Sequence, residues 1–521
     1  MKLITAKEAA RLIPDHATIG VAGMGLSGWA EEIAVAIAEA FKQTGHPCDL
    51  TLRQGSAMGD WRERGATRLG HEGLVTRWSG AHVGSAFALR ELAVQNKLQC
   101  HCLPQGVIVN LWREIAAGRP GLLTKVGLGT FVDPRIEGGK MNSATTDELV
   151  ELVTFQGEEY LFYKAFPLDV AILRGTTADE NGNITFEHES IINEGLAVAQ
   201  AAKNSGGIVI VQVEYLTKAG TMNPKEVKIP GILVDYVVQA TDINACWQAE
   251  GVYFEPAFSG QIKKPLSQIT PLELTERKII ARRCAMELRA GDVVNLGVGM
   301  AADVANVVAE EGYIDRLCMS TESGQIGGVP SALPNFGSAY NAEATIEHGS
   351  MFDFIDGGGL DVTCVGLGEA DGDGNVNVSK FGPRLTGPGG FINITQATPK
   401  VVFCGTLVGK AKLEIADGKL RVVEEGTIKK FIPRVSQITF SGRYAKPDQK
   451  ILYVTERCVF ELVNGQMVLT EIAPGLDLEH DVLAQLGFTP VVSPGLRLMD
   501  SAIFCDKWGK LGDTILKEGQ A

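Results

Sequence analysis

One pattern of residues occurs twice in this 521-residue chain, in the same order and at the same spacing. Six positions carry the pattern in each copy: Leu168, Asp169, Val170, Asp179, Gly182 and Asn183 in the first, and Leu360, Asp361, Val362, Asp371, Gly374 and Asn375 in the second. Chance rarely preserves such a register, so the repeat predicts two related structural units. We place the first domain at residues 1–250, a connecting segment at residues 251–270 and the second domain at residues 271–521.

Each unit opens with a short apolar strand, a glycine-rich loop and an amphipathic helix. The predicted strand, loop and helix are residues 18–22, 23–28 and 29–41 in the first unit, and residues 293–296, 297–300 and 303–310 in the second. Repeated strand–helix units predict an α/β fold: two duplicated, doubly wound domains with mainly parallel sheets covered by helices on both faces. Ligands of such sheets bind beyond the carboxyl ends of the strands, so we expect the site between the two halves.

Charge and hydropathy limit the kinds of partner. Lys and Arg number 48 against 62 Asp and Glu, which leaves a formal net charge of −14. Because nucleic-acid phosphates and anionic lipids are negative, we expect the protein to bind neither nucleic acid nor membrane. No run of about eighteen apolar residues is present, and the first residues do not resemble a secretory signal. We therefore expect a cytoplasmic protein.

The ten cysteines form no CxxC pair. Cys100 and Cys102 flank His101, but no second cluster completes a metal site, so no metal is expected. Thiols scattered through predicted core segments are typical of a reducing compartment.

The first glycine loop, residues 23–28, satisfies the GxGxxG pattern of dinucleotide sites. A nicotinamide site also needs an acidic residue at the end of the second strand, whereas the strand predicted at residues 50–52 is followed by Arg53. This argues against NAD, although a variant that prefers a phosphorylated dinucleotide through Arg53 stays open. A tight turn with only a packing role is the second alternative. The third is a set of backbone N–H groups at a helix N-terminus that stabilise an oxyanion or an anionic ligand.

Glu322 is the only charged residue between Leu317 and Ala342. It follows a short apolar strand predicted at residues 317–319 and precedes a glycine-rich turn, where α/β sheets present catalytic groups. With glycine loops and no nearby histidine or lysine, such a carboxylate is suited to attack an activated acyl group, since that reaction needs oxyanion donors more than a separate base. General acid–base catalysis is the alternative, and it requires a second titratable group.

Two later glycine runs can supply backbone donors near Glu322. Residues 297–299 follow one predicted strand, and residues 387–391 precede the strand predicted at residues 400–404. A flexible surface loop is the alternative for the second run. Lys410, beyond that strand, could neutralise a phosphate or could be an ordinary surface lysine.

Together these features resemble the family I CoA-transferases, and specifically the long single-chain acetate/propionate CoA-transferase branch, over almost all of the chain. The active-site signature of that family is Ser-Glu-Asn-Gly, and here residues 321–324 read Thr-Glu-Ser-Gly. The Pro-Gln-Gly segment is intact at residues 104–106. The amino-terminal signature falls at residues 22–30, with Met24 in place of an aromatic residue and Ala30 in place of proline. We expect the altered flanks of Glu322 to tune geometry.

The resemblance implies a role for each candidate residue. Glu322 is the implied catalytic nucleophile. The implied oxyanion and substrate-orienting residues are Gly23, Met24, Gly25 and Gln105. The implied CoA-binding residues are Gly297, Val298, Gly299, Gly387, Gly389, Gly390 and Lys410.

The implied activity is ping-pong transfer of CoA between short-chain carboxylic acids through a glutamyl-CoA thioester. The implied partners are acyl-CoA and short-chain carboxylates, with no cofactor beyond CoA itself, and the implied assembly is a homotetramer. Acetate, propionate, butyrate, lactate and acetoacetate all stay open as substrates. Two rivals also stay open: a short-chain acyl-CoA hydrolase on the same scaffold, and a non-catalytic module that binds nucleotides or sugar phosphates.

Overall fold

The computed structural model describes residues 1–265 and 271–517, and each half of the chain forms one large sheet. The N-terminal sheet has eight strands, and every neighbouring pair is parallel. In spatial order its strands are Lys2–Leu3, Tyr236–Gln239, Ile208–Val213, Val170–Arg174, Thr18–Val21, Leu50–Gln54, Val75–Gly80 and Gln99–Cys102. Strands Val170–Arg174 and Leu50–Gln54 are buried at every position, as expected when both faces of a parallel sheet are covered.

The C-terminal sheet has ten strands around a parallel centre. In spatial order they are Ala344–Thr345, Gln325–Ile326, Cys318–Ser320, Val293–Leu296, Val362–Gly366, Lys400–Cys404, Lys450–Val454, Cys458–Val463, Gln466–Ile472 and Val491–Leu498. The strands from Cys318–Ser320 to Lys450–Val454 in this order are parallel, and antiparallel pairs extend the sheet on both sides. The last strand, Val491–Leu498, is again parallel to its neighbour. The predicted α/β fold with mainly parallel sheets is confirmed.

The α-helices in the described residues alternate with the parallel strands. They are Ala6–Arg11, Glu31–Thr44, Phe87–Val94, Gln105–Ala116, Gly195–Asn204, Glu276–Ala285, Asp303–Glu310, His348–Asp356, Phe391–Ala397 and Gly512–Ile515. None of the helices in residues 1–265 and 271–517 is long and apolar enough to cross a membrane.

Smaller sheets lie outside the two large ones. A four-stranded sheet contains Tyr215–Thr217, Thr177–Asp179, Ile184–Thr185 and Val227–Ile229, and a three-stranded sheet contains Gly121–Thr124, Glu158–Lys164 and Val150–Phe155. Two-stranded pairs are formed by Val329–Pro330 with Ala339–Tyr340, Glu369–Ala370 with Val376–Asn377, Lys380–Phe381 with Arg384–Leu385, Val408–Gly409 with Ile428–Lys429, and Lys412–Ala416 with Lys419–Glu424.

The repeated residues make the same hydrogen bonds in both halves. Asp169 accepts a hydrogen bond from the backbone N–H of Thr18 at 2.7 Å, and Asp361 accepts one from that of Val293 at 2.8 Å. Each therefore ties the strand that follows it to the strand that precedes the first glycine loop of its own half.

The second part of the repeat also matches. The carboxylate of Asp179 accepts hydrogen bonds from the backbone and side chain of Asn183, and that of Asp371 does so from Asn375. These bonds close the same turn in each copy, so the conserved register reflects a duplicated structural unit.

The predicted elements agree with the structure most closely in the second half. The strands at residues 293–296 and 400–404 and the helix at residues 303–310 have the predicted bounds. In the first half, the helix predicted at residues 29–41 is Glu31–Thr44. Ala30 is outside helical geometry, and Gly45 ends the helix in the left-handed conformation with φ 79°, which suits a residue without a Cβ.

The halves meet through helix Gln105–Ala116 of the first and helix His348–Asp356 of the second. Arg113 pairs with Asp353 at 2.7 Å, and Asn110 donates to the same carboxylate at 2.9 Å. At the start of the first helix, the backbone N–H of Gln105 donates to the carbonyl of Gly389 at 3.0 Å. Side chains from both halves are thereby brought to one crevice.

The chain between the halves packs against residues 335–341 of the second half. The backbone N–H of Gly251 donates to Asn335 Oδ1 at 2.9 Å, and that of Lys264 donates to Asn341 Oδ1 at 2.7 Å. The aromatic ring of Phe258 lies 4.6 Å from that of Tyr340. The proposed connecting segment at residues 251–270 extends beyond Pro265 into positions outside the described residues.

Candidate active site

Glu322 lies in the turn that follows strand Cys318–Ser320, at the carboxyl end of a parallel strand as predicted. Its neighbours hold the turn in place. The hydroxyls of Thr321 and Ser323 lie 2.9 Å apart, and that of Ser323 also donates to the carbonyl of Gly337. Gly324 has φ 107°, and a Cβ there would overlap the carbonyl of Ile346. The flanks of the glutamate therefore fix the backbone from which its side chain projects.

The Glu322 carboxylate is contacted from both halves of the chain. Gln105 Nε2 donates to Glu322 Oε1 at 3.2 Å. On the other side, Gly390 approaches so closely that a Cβ at this position would lie less than 3.0 Å from Glu322 Oε2. One amide donor and one glycine thus fix the two oxygens of the proposed nucleophile.

Burial and hydrogen bonding act in opposite directions on Glu322. Burial raises the pKa of its carboxyl group, while the His348 imidazole and the Gln105 hydrogen bond lower it. The net pKa lies above the ordinary value of 4.5. Its environment therefore makes the carboxylate less solvated while retaining one donor that favours the ionised form.

The expectation that no histidine lies near Glu322 is wrong. His348 Nε2 lies 3.1 Å from Gln105 Nε2, and His348 Nδ1 lies 2.8 Å from Glu194 Oε2. No sequence motif predicts this contact, because Glu194 and Gln105 come from the first half and His348 begins a helix of the second. The second titratable group that acid–base catalysis requires is thus present, although Gln105 separates it from Glu322.

A cavity of about 270 Å³ opens beside Glu322, between the two halves. Of the predicted site residues in its wall, Met24, Gly25 and Gln105 come from the first half. Those from the second half are Gly297, Val298, Glu322, Gly387, Gly389 and Gly390. The glycine runs of both domains therefore converge on the glutamate, as the duplicated fold predicted.

Three predicted site residues are placed outside the described wall of this cavity. Gly23 forms a tight turn in which a Cβ would overlap the carbonyl of Ser27. Gly299 begins the short 3-10 helix Gly299–Ala302 next to the wall. Lys410 is exposed, with φ 67°, just after strand Val408–Gly409.

The prediction of oxyanion donors in the first glycine loop requires correction. The N–H of Met24 donates to Ser27 at 3.0 Å, and that of Gly25 donates to Ala57 at 2.6 Å, so both are used within the fold. The N–H of Gly23, in contrast, has no hydrogen-bond acceptor in the described part of the chain, and neither has that of Gly390. Of these two, Gly390 lies in the cavity wall against Glu322, which suits its N–H to the role of oxyanion donor.

The dinucleotide alternative finds no support at Arg53. Its guanidinium is buried, donates to Ser79 Oγ at 2.7 Å and stacks 4.5 Å from the centre of the Phe166 ring. Since these contacts engage the side chain inside the first domain, it does not face a ribose phosphate.

Glu250 is a second cavity acid that the sequence analysis missed. Burial, aided by the charge of Asp60, raises its pKa to about 8. At neutral pH this carboxyl group is therefore mostly protonated, unlike a nucleophile. Its neighbours across the cavity are mainly apolar, and they include Trp61, Leu333, Phe336, Val365, Phe391 and Ile394.

Comparisons with known proteins agree on one family. The family model described as coenzyme A transferase matches residues 3–240. Caffeate CoA-transferase from Acetobacterium woodii is 68% identical over 521 residues, which cover 99% of each chain. Acetate CoA-transferase YdiF from Escherichia coli (strain K12) is 43% identical over 508 residues, which cover 97% of this chain and 95% of that protein.

A solved structure of a member of the same family also matches this chain. The crystal structure of the acyl-CoA transferase YdiF apoenzyme from Escherichia coli O157:H7 superposes with a TM-score of 0.93. It is 42% identical in sequence, and the match covers 99% of this chain and 98% of that one. A second structure of that protein, described as a thioester complex with CoA, superposes with a TM-score of 0.91.

Proposed function

This chain belongs to the coenzyme A transferase family and moves CoA between carboxylates, and from that premise we propose that Glu322 carries the CoA as a glutamyl thioester. The observation that supports this most is the setting of the Glu322 carboxylate. It lies at a strand end in the crevice between the halves, with Gln105 donating to one oxygen and Gly390 against the other. Glu250, the other acid named in the cavity wall, does not appear among the hydrogen-bond donors and acceptors around Glu322 in the described residues, and burial raises its pKa to about 8.

The first half-reaction transfers CoA to the enzyme. The ionised Glu322 carboxylate attacks the thioester carbonyl of acyl-CoA, the C–S bond breaks, and CoA leaves as a thiolate from an acyl-glutamyl anhydride. The thiolate then attacks the glutamyl carbonyl of the anhydride. This step releases the first acid as its carboxylate and leaves the glutamyl-CoA thioester, so no proton is gained or lost overall.

The second half-reaction reverses these steps with another carboxylate. Each tetrahedral intermediate carries negative charge on the former carbonyl oxygen, which hydrogen-bond donors in a dry cavity stabilise. The Gln105 amide and the N–H of Gly390 are the donors that we assign to this role. Binding of the remote part of CoA can contribute to positioning of the reacting atoms, an effect worth up to roughly 7–11 kcal/mol.

The volume and the apolar wall of the cavity favour acyl groups larger than acetyl as substrates. Its volume of about 270 Å³ and its apolar wall, with Trp61 and Phe336, suit a flat aromatic acid. A relative at 68% identity is named for caffeate, whereas one at 43% is named for acetate. We therefore propose that phenylpropenoates are substrates in addition to the short-chain acids acetate and propionate.

The remaining assignments are also proposals. Residues 297–298 and 387–390 line the cavity, and we assign them to CoA together with Gly299, which follows them outside the wall. Lys410 also lies outside the described wall and would contact only the distal phosphates of CoA. We assign no cofactor beyond CoA. We also retain the homotetramer as the proposed assembly, which sedimentation of the purified protein tests.

A matrix of acyl-CoA donors and carboxylate acceptors tests the proposed function. Exchange of labelled acetate into acetyl-CoA is expected with the wild type and is lost in Glu322→Ala. Full exchange by that variant contradicts the assignment of the nucleophile. A hydrolase instead releases CoA at the same rate with and without an added acceptor, and a binding module gives saturable binding without exchange.

A further inference from the structure

Two buried side chains lie behind Gln105, on the side away from the Glu322 carboxylate. The side chains of His348 and Glu194 are both 0% exposed, and His348 Nδ1 lies 2.8 Å from Glu194 Oε2. The other ring nitrogen, Nε2, lies 3.1 Å from Gln105 Nε2. The Phe352 ring packs 5.5 Å from the imidazole. A continuous chain of contacts thus runs from Glu194 through His348 and Gln105 to Glu322.

With the His348 ring neutral, the donors and acceptors in this chain fit one arrangement. A carboxylate only accepts, so Glu194 Oε2 accepts a hydrogen bond from the N–H at His348 Nδ1. The ring then presents the lone pair of Nε2, which accepts one hydrogen of the Gln105 amide. Because an amide nitrogen carries two hydrogens, the second is directed to Glu322 Oε1, 3.2 Å away. Each group therefore determines the orientation of the next.

We propose that His348 and Glu194 are positioning residues, which fix the Gln105 side chain so that its NH₂ group, and not its carbonyl oxygen, faces the Glu322 carboxylate. This inference rests on the proposed function of Glu322 as the nucleophile. Neither residue is hydrogen-bonded to Glu322 in the described part of the chain, so the positioning contact runs through Gln105.

The orientation of the amide matters because its two ends have nearly the same shape. Without an acceptor at His348, a rotation of the amide by half a turn places its oxygen against Glu322, where it repels the carboxylate and removes the donor. A hydrogen bond to a charged group contributes more to stability than a neutral one. Fixing the amide therefore keeps Glu322 ionised and its two oxygens in place.

The arrangement is difficult to explain by stability alone. Glu194 buries a carboxylate whose second oxygen, Oε1, has no hydrogen-bond partner in the described part of the chain. Gly55 approaches this oxygen so closely that a Cβ at position 55 would overlap it. A buried carboxylate with an unpaired oxygen costs stability, so a functional role accounts for it better than packing does. Orientation of the imidazole is that role.

The test measures how fast CoA becomes attached to Glu322 when acetyl-CoA is mixed with enzyme in the absence of an acceptor acid. His348→Met removes the acceptor at similar volume and is expected to slow attachment roughly tenfold to a hundredfold, with an unchanged KM for acetyl-CoA. His348→Gln is the matched control. Its amide oxygen can occupy the position of Nε2 and accept from Gln105, so we expect a rate within about twofold of the wild type.

A double-mutant cycle separates positioning from general structural support. In a Gln105→Ala background, His348→Met is expected to cause no further loss, because no amide is left to orient. Glu194→Met gives a second, independent route to the same comparison if His348→Met does not fold. A wild-type rate in His348→Met, or an equal loss in both backgrounds, overturns the inference. If the wild type acquires no CoA on Glu322 at all, the proposed nucleophile fails instead.

Discussion

Gly390 lies against the Glu322 carboxylate so closely that a Cβ at position 390 would overlap Glu322 Oε2. The two residues are far apart in sequence, yet the glycine sets the position of the glutamate. The backbone of Gly390 has φ −80° and ψ −3°, a conformation open to any residue, so steric contact alone excludes a side chain here.

Gly390→Ala is therefore expected to fold normally and to lower kcat about a hundredfold, because a displaced nucleophile loses its alignment with the thioester carbonyl. Gly495→Ala is the control, since that exposed glycine has only Ser493 Oγ within 4 Å of its added Cβ. Steady-state kinetics and thermal unfolding of both variants check the result. An active Gly390→Ala enzyme would show that Glu322 need not occupy this position.

Removal of the donor at Gln105 is expected to shift the pH dependence of the first half-reaction. The pKa of Glu322 lies above 4.5, and its protonated form does not attack, so attachment of CoA falls as the pH drops through that pKa. The Gln105 hydrogen bond lowers the pKa. In Gln105→Ala, the fall in the rate of CoA attachment on the acid side of the pH profile should therefore occur at a higher pH. Rapid-mixing measurements of this rate over a pH series check the shift, and an unchanged profile contradicts the role of the donor.

Substrate size is expected to depend on the apolar wall. Val378 lines the cavity and is partly exposed, so the larger side chain in Val378→Phe fills part of the cavity volume of about 270 Å³. We expect kcat/KM for a phenylpropenoate to fall at least about tenfold, while that for acetate stays nearly constant. Val378→Ala serves as the matched control because it removes volume from the wall. Equal losses of kcat/KM for both acids would show that the aromatic group of the phenylpropenoate binds outside this part of the cavity.

Glu250 is expected to make folding stability fall as the pH rises. Its folded pKa of about 8 lies above the ordinary 4.5, so between these values the folded state binds more protons than the unfolded state. Stability is then lost from about pH 4.5 upwards and levels off above about pH 8. Glu250→Gln should remove this loss, whereas the exposed Glu343→Gln should not. Urea unfolding across this pH range measures both.

The duplicated fold was largely predictable because its signal is repeated and local. Asp169 and Asp361 stand at the same point of the repeat and bond to equivalent strands. Glu322 was predictable for a related reason. Its charge is isolated at a strand end, and the end of a parallel strand is where such a sheet opens.

The rest of the site depends on contacts between distant segments. His348 and Glu194 meet only when the two halves pack together, and neither stands in a recognisable motif. The prediction of free N–H groups at Met24 and Gly25 was wrong for a similar reason. Their acceptors, the carbonyls of Ser27 and Ala57, come within hydrogen-bond distance only when the chain folds. A glycine pattern predicts a turn, but the direction of each N–H depends on the folded backbone around it.

The most direct test of the account is the mass of the peptide that contains Glu322 after incubation with acetyl-CoA alone. We predict that this peptide gains CoA, that added acetate removes it, and that Glu322→Ala gains none while Glu343→Gln behaves as the wild type. Attachment of CoA to another residue, or undiminished transfer by Glu322→Ala, would contradict the account.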